Sequence, residues 1–510
     1  MQYLTREQSI ELDKASEKES GICGEVLMRN AGSKIKQIAL TMVNDKINPK
    51  IFIICGKGNN GGDGFAAAVE LYHEKTCVFI HYIGELKEIN GVSKIFYDRC
   101  IELKISISYG LPIDVLTKSD LIIDALFGTG LNRSINGNIG HLIDLINLSK
   151  SKVLSIDIPS GLNSNTGYIL SKSVKADTTV TMGSPKIGMK IANGEKYSGN
   201  IIIADIGFPK NSYLGLPGIK WEPLDEEKVN SWIVKPDIDT NKFNQGKVLI
   251  IAGSLGMSGA AMLSTVAALK SGVGITITAI PKTINNIFES NIIEGISLPL
   301  PDEELGYLQK KHLDKILDKS LWADVLIIGP GLGRKTSTQS LVRALIEKVK
   351  KPIILDADGL YPFANDIRSL VGRKEPLIIT PHLGELSLIT GIDIREIKDN
   401  YSNIMSDFMV DFPHVAFVKH VPACTFYRNK AIMNISGNPG LSTAGSGDVL
   451  TGIIAGFLAG GVNPQLATAL GAFVHGKASD LLVNKKGYRG QIASDLLDLI
   501  PRVIAPYEKG

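Results

Sequence analysis

The chain has no block of five or six like charges, and its 55 Lys and Arg against 52 Asp and Glu leave a formal charge of only +3. Without a basic stripe there is no electrostatic footprint for nucleic acid, and no such partner is expected. Cysteine is sparse: Cys23, Cys55, Cys77, Cys100 and Cys424 are scattered, with no C-x-x-C pair and no histidine cluster beside them. This pattern gives no zinc module and fits free thiols in a reducing, cytoplasmic compartment. The opening residues, Met1-Gln2-Tyr3-Leu4-Thr5-Arg6-Glu7-Gln8, lack the basic and then apolar order of a secretory signal. Apolar stretches such as Val248 to Ile280 are broken by Ser254, Ser258, Lys270 and several glycines, which suits buried α/β elements rather than a membrane span. A short repeat period and low-complexity tracts are missing too, and the lack of a G-x-x-x-x-G-K-[ST] motif excludes a P-loop nucleotide site.

What is present is an alternation of strands, glycine-rich or polar loops, and helices. At 510 residues, 44% of them hydrophobic, the chain exceeds one core and supports two. In the first part, strands are predicted at Ile51 to Cys55, Cys77 to Tyr82, Leu121 to Asp124, Val153 to Asp157, Thr178 to Met182 and Ile201 to Asp205. Helices are predicted at Phe65 to Glu74, Gly91 to Glu102 and His141 to Ser149. Ahead of them, Thr5 to Lys18 and Gly24 to Met42 read as amphipathic helices that cover the sheet or a subunit interface, so a homo-oligomer is expected. Between Phe208 and Thr240 the composition turns to Pro and Gly with acidic Asp225-Glu226-Glu227, a linker signal that sets the boundary near residue 222. The second part resumes with strands at Lys247 to Ala252, Ile275 to Ile280, Val325 to Ile328, Ile353 to Asp356, Leu377 to Thr380 and Ala416 to Lys419. Helices follow at Gly259 to Ser271, Ser337 to Lys350 and Asp448 to Ala459. The expectation is an α/β protein of two doubly wound domains, residues 1–221 and 222–510.

The run Gly56-Lys57-Gly58-Asn59-Asn60-Gly61-Gly62-Asp63-Gly64 falls between a strand and a helix, and its literal G-x-G-x-x-G suits close backbone approach to a phosphate. A nicotinamide dehydrogenase would carry an acidic residue for the ribose near the end of the next strand, and here that strand ends His81-Tyr82. Downstream, Asp124 leads into Phe127-Gly128-Thr129-Gly130-Leu131-Asn132-Arg133-Ser134, whose backbone amides and one guanidinium suit a phosphate clamp. Asp157 leads into Ile158-Pro159-Ser160-Gly161. Either these aspartates cap turns, or Asn60, Asp124 and Ser160 converge on one rim as hard oxygen donors for a cation.

These segments, with Leu27-Met28-Arg29-Asn30-Ala31-Gly32, resemble the NAD(P)HX epimerase domain over about the first 210 residues. The resemblance implies a Rossmann-like domain in which Asn59, Asn60, Gly61, Gly62, Asp63, Gly128, Thr129, Gly130, Leu131, Asn132, Arg133, Ser134 and Asp157 contact the hydrated dinucleotide. It also implies that Asn60, Asp124 and Ser160 bind potassium. Interconverting the R and S hydrates needs an acid/base group to open and reclose the adduct. Asp157 is the first candidate, and Lys186 is either a second one or a solvated loop lysine.

In the second part, Leu441-Ser442-Thr443-Ala444-Gly445-Ser446-Gly447-Asp448 precedes an apolar helical run. Small residues at a helix start leave its amides open to a phosphoryl group, and Asp448 is placed either to take a proton from an attacking hydroxyl or only to cap the helix. Gly253 to Ala260, Gly329 to Gly333 and Thr380-Pro381-His382-Leu383-Gly384-Glu385 supply three further loops, with His382 either a buried imidazole or a site residue. Together with Ile354 to Asp358 and Asn434 to Asn438, these segments are similar to the ADP-dependent NAD(P)HX dehydratase of the ribokinase-like superfamily. The similarity implies that Ala260, Gly329, His382 and Asp448 contact the hydrated dinucleotide. It places Lys419, His420, Val421, Pro422, Ala423 and Gly447 at ADP or AMP, and implies Mg2+ with Asp356 or Asp358 as indirect ligands. The two resemblances imply a bifunctional NAD(P)H-hydrate repair enzyme acting on NADHX and NADPHX with ADP as co-substrate. The alternative is a ribokinase-type small-molecule kinase with an accessory dinucleotide-binding domain.

Overall fold

Runs such as Ile51 to Ile54 and Leu121 to Ile123 carry almost no polar atoms beyond their backbone, and all of these side chains are buried. Such strands are stable only when covered on both faces, and they form the centre of a wholly parallel sheet. From edge to edge its strands are Ser106–Tyr109, Cys77–Tyr82, Lys50–Cys55, Leu121–Ala125, Lys152–Ile156, Thr178–Met182 and Asn200–Ala204. One face packs under helices Gly24–Met42, Asn59–Tyr72 and Gly91–Glu102, the other under Gly137–Leu148. The computed structural model describes residues 1–20, 22–74, 76–109 and 118–508. It divides into one unit of Met1–Trp221 with Asn400–Ser402, and a second of Glu222–Asp399 with Asn403–Gly510.

The second unit is built on a sheet in the order Ile296–Leu300, Ile275–Pro281, Lys247–Ile251, Val325–Ile328, Ile353–Leu355, Leu377–Ile379, Val415–Val418, Cys424–Tyr427 and Lys430–Met433, with the strand that spans the boundary, Lys220–Pro223, as the tenth. The strands through Val415–Val418 are parallel, and the Cys424–Tyr427 and Lys430–Met433 strands then add antiparallel. Helices Ser258–Lys270, Ser446–Ala459 and Pro464–Lys486 contribute to one large apolar cluster on this sheet. Both sheets are doubly wound, and the parallel part of each reverses its strand order once. The reversal falls between Lys50–Cys55 and Leu121–Ala125 in the first sheet and between Lys247–Ile251 and Val325–Ile328 in the second. A crevice opens beyond the strand ends at such a switch point, and ligands bind there.

Several expectations are corrected. The segment at Asn59–Asp63 is the first turn of helix Asn59–Tyr72, so the helix starts six residues before Phe65. Its glycines weaken helical propensity, but packing decides: a Cβ on Gly61 would lie 1.8 Å from the Gly56 carbonyl oxygen, and one on Gly62 2.6 Å from Met28. The Phe208 to Thr240 segment is not a bare linker, because it holds strand Lys220–Pro223 and helix Glu226–Trp232 with Asp225 as N-cap. Edge strands Ser106–Tyr109 and Ile296–Leu300 were not anticipated, and neither were the antiparallel strands or helix Pro464–Lys486.

Candidate functional site

In the first unit, parallel register places Asp124 opposite Ser155, and the chain beyond Lys152–Ile156 turns back to bring Ser160 over the same carboxylate. Asp124 accepts from the Ser155 hydroxyl at 2.8 Å, the Ser160 amide at 2.9 Å, the Ser160 hydroxyl at 2.6 Å and the Leu126 amide at 3.3 Å. Burial raises its pKa, and these four donors pull it back down in part. The Ser160 hydroxyl oxygen also accepts from the Phe127 amide at 2.9 Å. Asn60 joins this corner through Gly128, whose Cβ position lies 3.3 Å from Asn60 Oδ1. Asn60 is 8% exposed, and its Nδ2 has no hydrogen-bond partner among the described residues. The three residues named for a cation therefore do converge. The loop Gly128 to Ser134 continues along the rim as coil, with Arg133 exposed.

A second cluster lies beside it. Asp157 follows strand Lys152–Ile156 in a left-handed conformation, φ 66°, which costs a non-glycine residue about 1–3 kcal/mol and persists only when the surroundings impose it. Its carboxylate is ion-paired with Lys186, and that lysine is buried and donates also to Thr181 Oγ1 at 3.0 Å and the Ser184 carbonyl at 3.3 Å. The solvated-loop reading of Lys186 is thus overturned. Asp13, on helix Arg6–Ser20, faces the pair. Burial, then Asp157, raise its pKa to about 6 against the opposing Lys186. Asp63 is raised well above the usual carboxylate range by burial, then by Asp157 and Asp13. Three carboxyls and one ammonium thus lie close enough to shift one another, and burial and like charge raise two of the carboxyls. Asp13 was missed in the sequence because its partners are distant in the chain.

In the second unit, Gly445 at φ 87° caps helix Ser446–Ala459, and Asp448 stands in its first turn. The N-terminal amides of a helix have no intrahelical acceptor and suit an anion. Lys419 adds a charge there: a Cβ on Gly447 would lie 3.1 Å from its Nζ. The ammonium pairs with buried Asp356 at 2.6 Å, whose carboxylate also accepts from Thr380 Oγ1 at 2.6 Å and Thr451 Oγ1 at 2.9 Å. Burial alone would lower the Lys419 pKa, but Asp356 and Glu385 outweigh it and the value is raised. Asp448 is pushed up to about 7, first by burial and then by Asp356, with Lys419 opposing. A carboxyl held there exchanges a proton readily near neutral pH. Gly329 crosses the switch point at φ 133°, where a Cβ would lie 1.7 Å from the Asp356 carbonyl oxygen, so only glycine fits.

His382 is not a buried imidazole: its side chain is 59% exposed and caps helix Leu383–Thr390, accepting at Nδ1 from the Glu385 amide at 3.1 Å. It flanks Lys419 through a backbone bridge, and Lys419 to Ala423 forms the turn into Cys424–Tyr427. Ala260 lies in the first turn of helix Ser258–Lys270 against the Gly331 turn. Asp358 accepts from the Gly333 amide at 3.0 Å and Arg334 Nε at 2.9 Å. A residue missed in the sequence is His475 on helix Pro464–Lys486. It is buried beside Ser446 and Lys419, its pKa lowered to about 4 by burial, and its Nε2 has no partner among the described residues.

Residues 248–502 match the family model described as NAD(P)H-hydrate dehydratase, and residues 24–188 that of the YjeF-related protein N-terminus. The bifunctional NAD(P)H-hydrate repair enzyme Nnr of Moorella thermoacetica is 34% identical, covering 100% of this chain and 98% of its own. The enzyme of the same name from Dictyoglomus turgidum is also 34% identical, over 99% and 98%. Among solved structures, the ADP/ATP-dependent NAD(P)H-hydrate dehydratase of Bacillus subtilis, co-crystallised with ATP and Mg2+, is 27% identical with a TM-score of 0.50, covering 56% of this chain and 99% of its own. A ribokinase-like superfamily protein of Enterococcus faecalis, 23% identical with a TM-score of 0.50, shares the fold.

Proposed function

This chain belongs to the bifunctional NAD(P)H-hydrate repair enzymes, and we propose that its first unit, residues 1–221, epimerises NAD(P)HX while its second, residues 222–510, dehydrates the S form with ADP. The observation that carries the reading is that each switch-point crevice holds a proton-transfer group of its own, Asp157 with Lys186 in one and Asp448 in the other.

In the first unit the glycine turn and the loop Gly128 to Ser134 hold the dinucleotide phosphates, and the damaged ring lies towards Asp157. The hydroxyl-bearing carbon adjoins the ring nitrogen, whose lone pair helps expel the hydroxyl once it is protonated. Water then returns to either face and gives up a proton. Asp157 moves that proton, Lys186 orients it, and the raised carboxyls of Asp13 and Asp63 stand beside the pair. Asn60, Ser160 and the Phe127 carbonyl offer oxygens that fit potassium, and Asp124, already accepting from four donors, orients Ser160. A potassium ion bound there would supply fixed positive charge beside the phosphates.

In the second unit Ala260, Gly329 and His382 line the hydrate's side, while the turn Lys419-His420-Val421-Pro422-Ala423 and Gly447 hold the adenine nucleotide. Asp448 takes the proton of the substrate hydroxyl as it attacks the terminal phosphoryl of ADP, releasing AMP. Helix amides and Lys419 stabilise the charge on the transferring group. The ring nitrogen then expels phosphate and the neighbouring carbon loses a proton, which restores NAD(P)H. Asp356 and Asp358 are engaged by protein donors, so any role of theirs towards magnesium on the nucleotide is indirect. Five unpaired cysteines suit a cytoplasmic setting. The test is incubation with mixed R and S NADHX and either ADP or ATP, following NADH absorbance. Recovery of both epimers is expected. No recovery with either nucleotide would sink the reading, and a stable phosphorylated product without NADH would favour the kinase alternative.

A further inference from the structure

The dehydrogenase-type acid missing from strand Cys77–Tyr82 has a substitute in space. Beyond the strand, the Ile83 amide donates to the Cys55 carbonyl at 2.9 Å, and the chain turns into a short helical turn, Leu86–Glu88. Glu88 Oε2 accepts from the Glu85 amide at 3.1 Å, which aims Oε1 at the glycine turn, where Lys57 Nζ donates to it at 2.7 Å. Lys57 lies between Gly56 and Gly58, so this pair ties the phosphate turn to the turn beyond the neighbouring strand. Isolated surface pairs contribute little to stability, and this one is half exposed, with Lys57 at 51%. Its position is what distinguishes it.

The sheet order sets which part of a dinucleotide reaches it. Asp157, paired with Lys186, lies beyond Lys152–Ile156, two strands from Lys50–Cys55 and about 10 Å away at the usual spacing. With the damaged ring there and the pyrophosphate at the switch point, the adenosine half extends the opposite way, over the ends of Cys77–Tyr82 and Ser106–Tyr109.

We propose that the Lys57–Glu88 pair reads the 2′ position of the adenosine ribose in the first unit, Glu88 accepting ribose hydroxyls of NADHX and Lys57 taking the 2′-phosphate of NADPHX. This rests on the epimerase reading of that crevice. One carboxylate and one ammonium, each able to release the other, let a single site serve both dinucleotides. Each also discriminates: Glu88 repels a 2′-phosphate, and Lys57 has less to hold when that phosphate is absent.

The test uses the full chain without ADP or ATP, so that the dehydratase is silent, and follows conversion of (R)-NADHX and (R)-NADPHX to their S forms by chromatography. The quantity read is kcat/KM for NADPHX divided by that for NADHX. Lys57→Met is expected to lower this ratio about tenfold and Glu88→Gln to raise it about fivefold, both through KM, with Lys57→Arg restoring the ratio. Ratios within about twofold of wild type in both variants, with epimerisation retained, would overturn the assignment of the pair alone. Absence of epimerisation in the wild-type chain would instead overturn the epimerase reading beneath it.

Discussion

The two crevices occupy the same place in two doubly wound sheets but set their proton chemistry differently. In the first unit Lys186 is paired directly with Asp157, and the raised carboxyls are its neighbours Asp13 and Asp63. In the second, Lys419 is paired with Asp356, and Asp448 itself is pushed up to about 7. The difference matches the chemistry. Opening and reclosing an adduct needs one group that gives a proton and one that takes it, which a cluster of unequal carboxyls supplies. Phosphoryl transfer to a hydroxyl needs one base near neutrality beside fixed positive charge, the roles proposed for Asp448 and Lys419 at a helix start.

If this contrast holds, the two functions separate by mutation. The largest effect is expected for Asp448→Asn, which should lower ADP-driven NADH recovery by roughly 10²–10⁴-fold while R and S hydrates still interconvert without nucleotide, as chromatography would show. Asp157→Asn should slow epimerisation by about 10²-fold or more and leave recovery of the S hydrate intact. Equal loss of both activities in either variant would break the comparison.

The pH dependence sharpens it. Asp448 has a folded pKa raised from 3.8 to about 7, so the ionised base, and with it the dehydratase rate, should rise with pH to a plateau above neutrality. Because Lys419 lowers that value, Lys419→Met should move the midpoint upward as well as weaken turnover. The same raised pKa means that the folded state binds the extra proton between pH 3.8 and about 7, so this group's contribution to stability falls as pH rises through that window. The smallest effect is expected for Ser160→Ala, which removes the hydroxyl between Asp124 and Phe127. It should raise the KM of epimerisation several-fold and weaken its response to potassium over sodium.

Much of this was legible in the chain, and the exceptions have physical causes. Thr178–Met182 and Gly91–Glu102 fall where the pattern put them, because periodicity and burial agree there. Ser106–Tyr109 escaped notice because an edge strand with mostly exposed residues carries no apolar run. Helix Asn59–Tyr72 begins early because backbone packing at Gly61 and Gly62 outweighs their poor propensity. The convergence of Asn60, Asp124 and Ser160 followed from strand ends at one rim, whereas Asp13 enters from a helix outside the sheet, and Glu88 reaches the glycine turn from six residues past its strand. Patterns locate elements and rims, but which side chains meet across them is decided by folding.

If two independent sites divide the repair of the two hydrates, variants that each lack one site complement each other. The most direct test mixes Asp157→Asn and Asp448→Asn proteins with R and S NADHX and ADP. Alone, the first should recover only the S fraction and the second none, while the mixture recovers both. Failure of the mixture to recover the R fraction, with both proteins folded, would contradict the account.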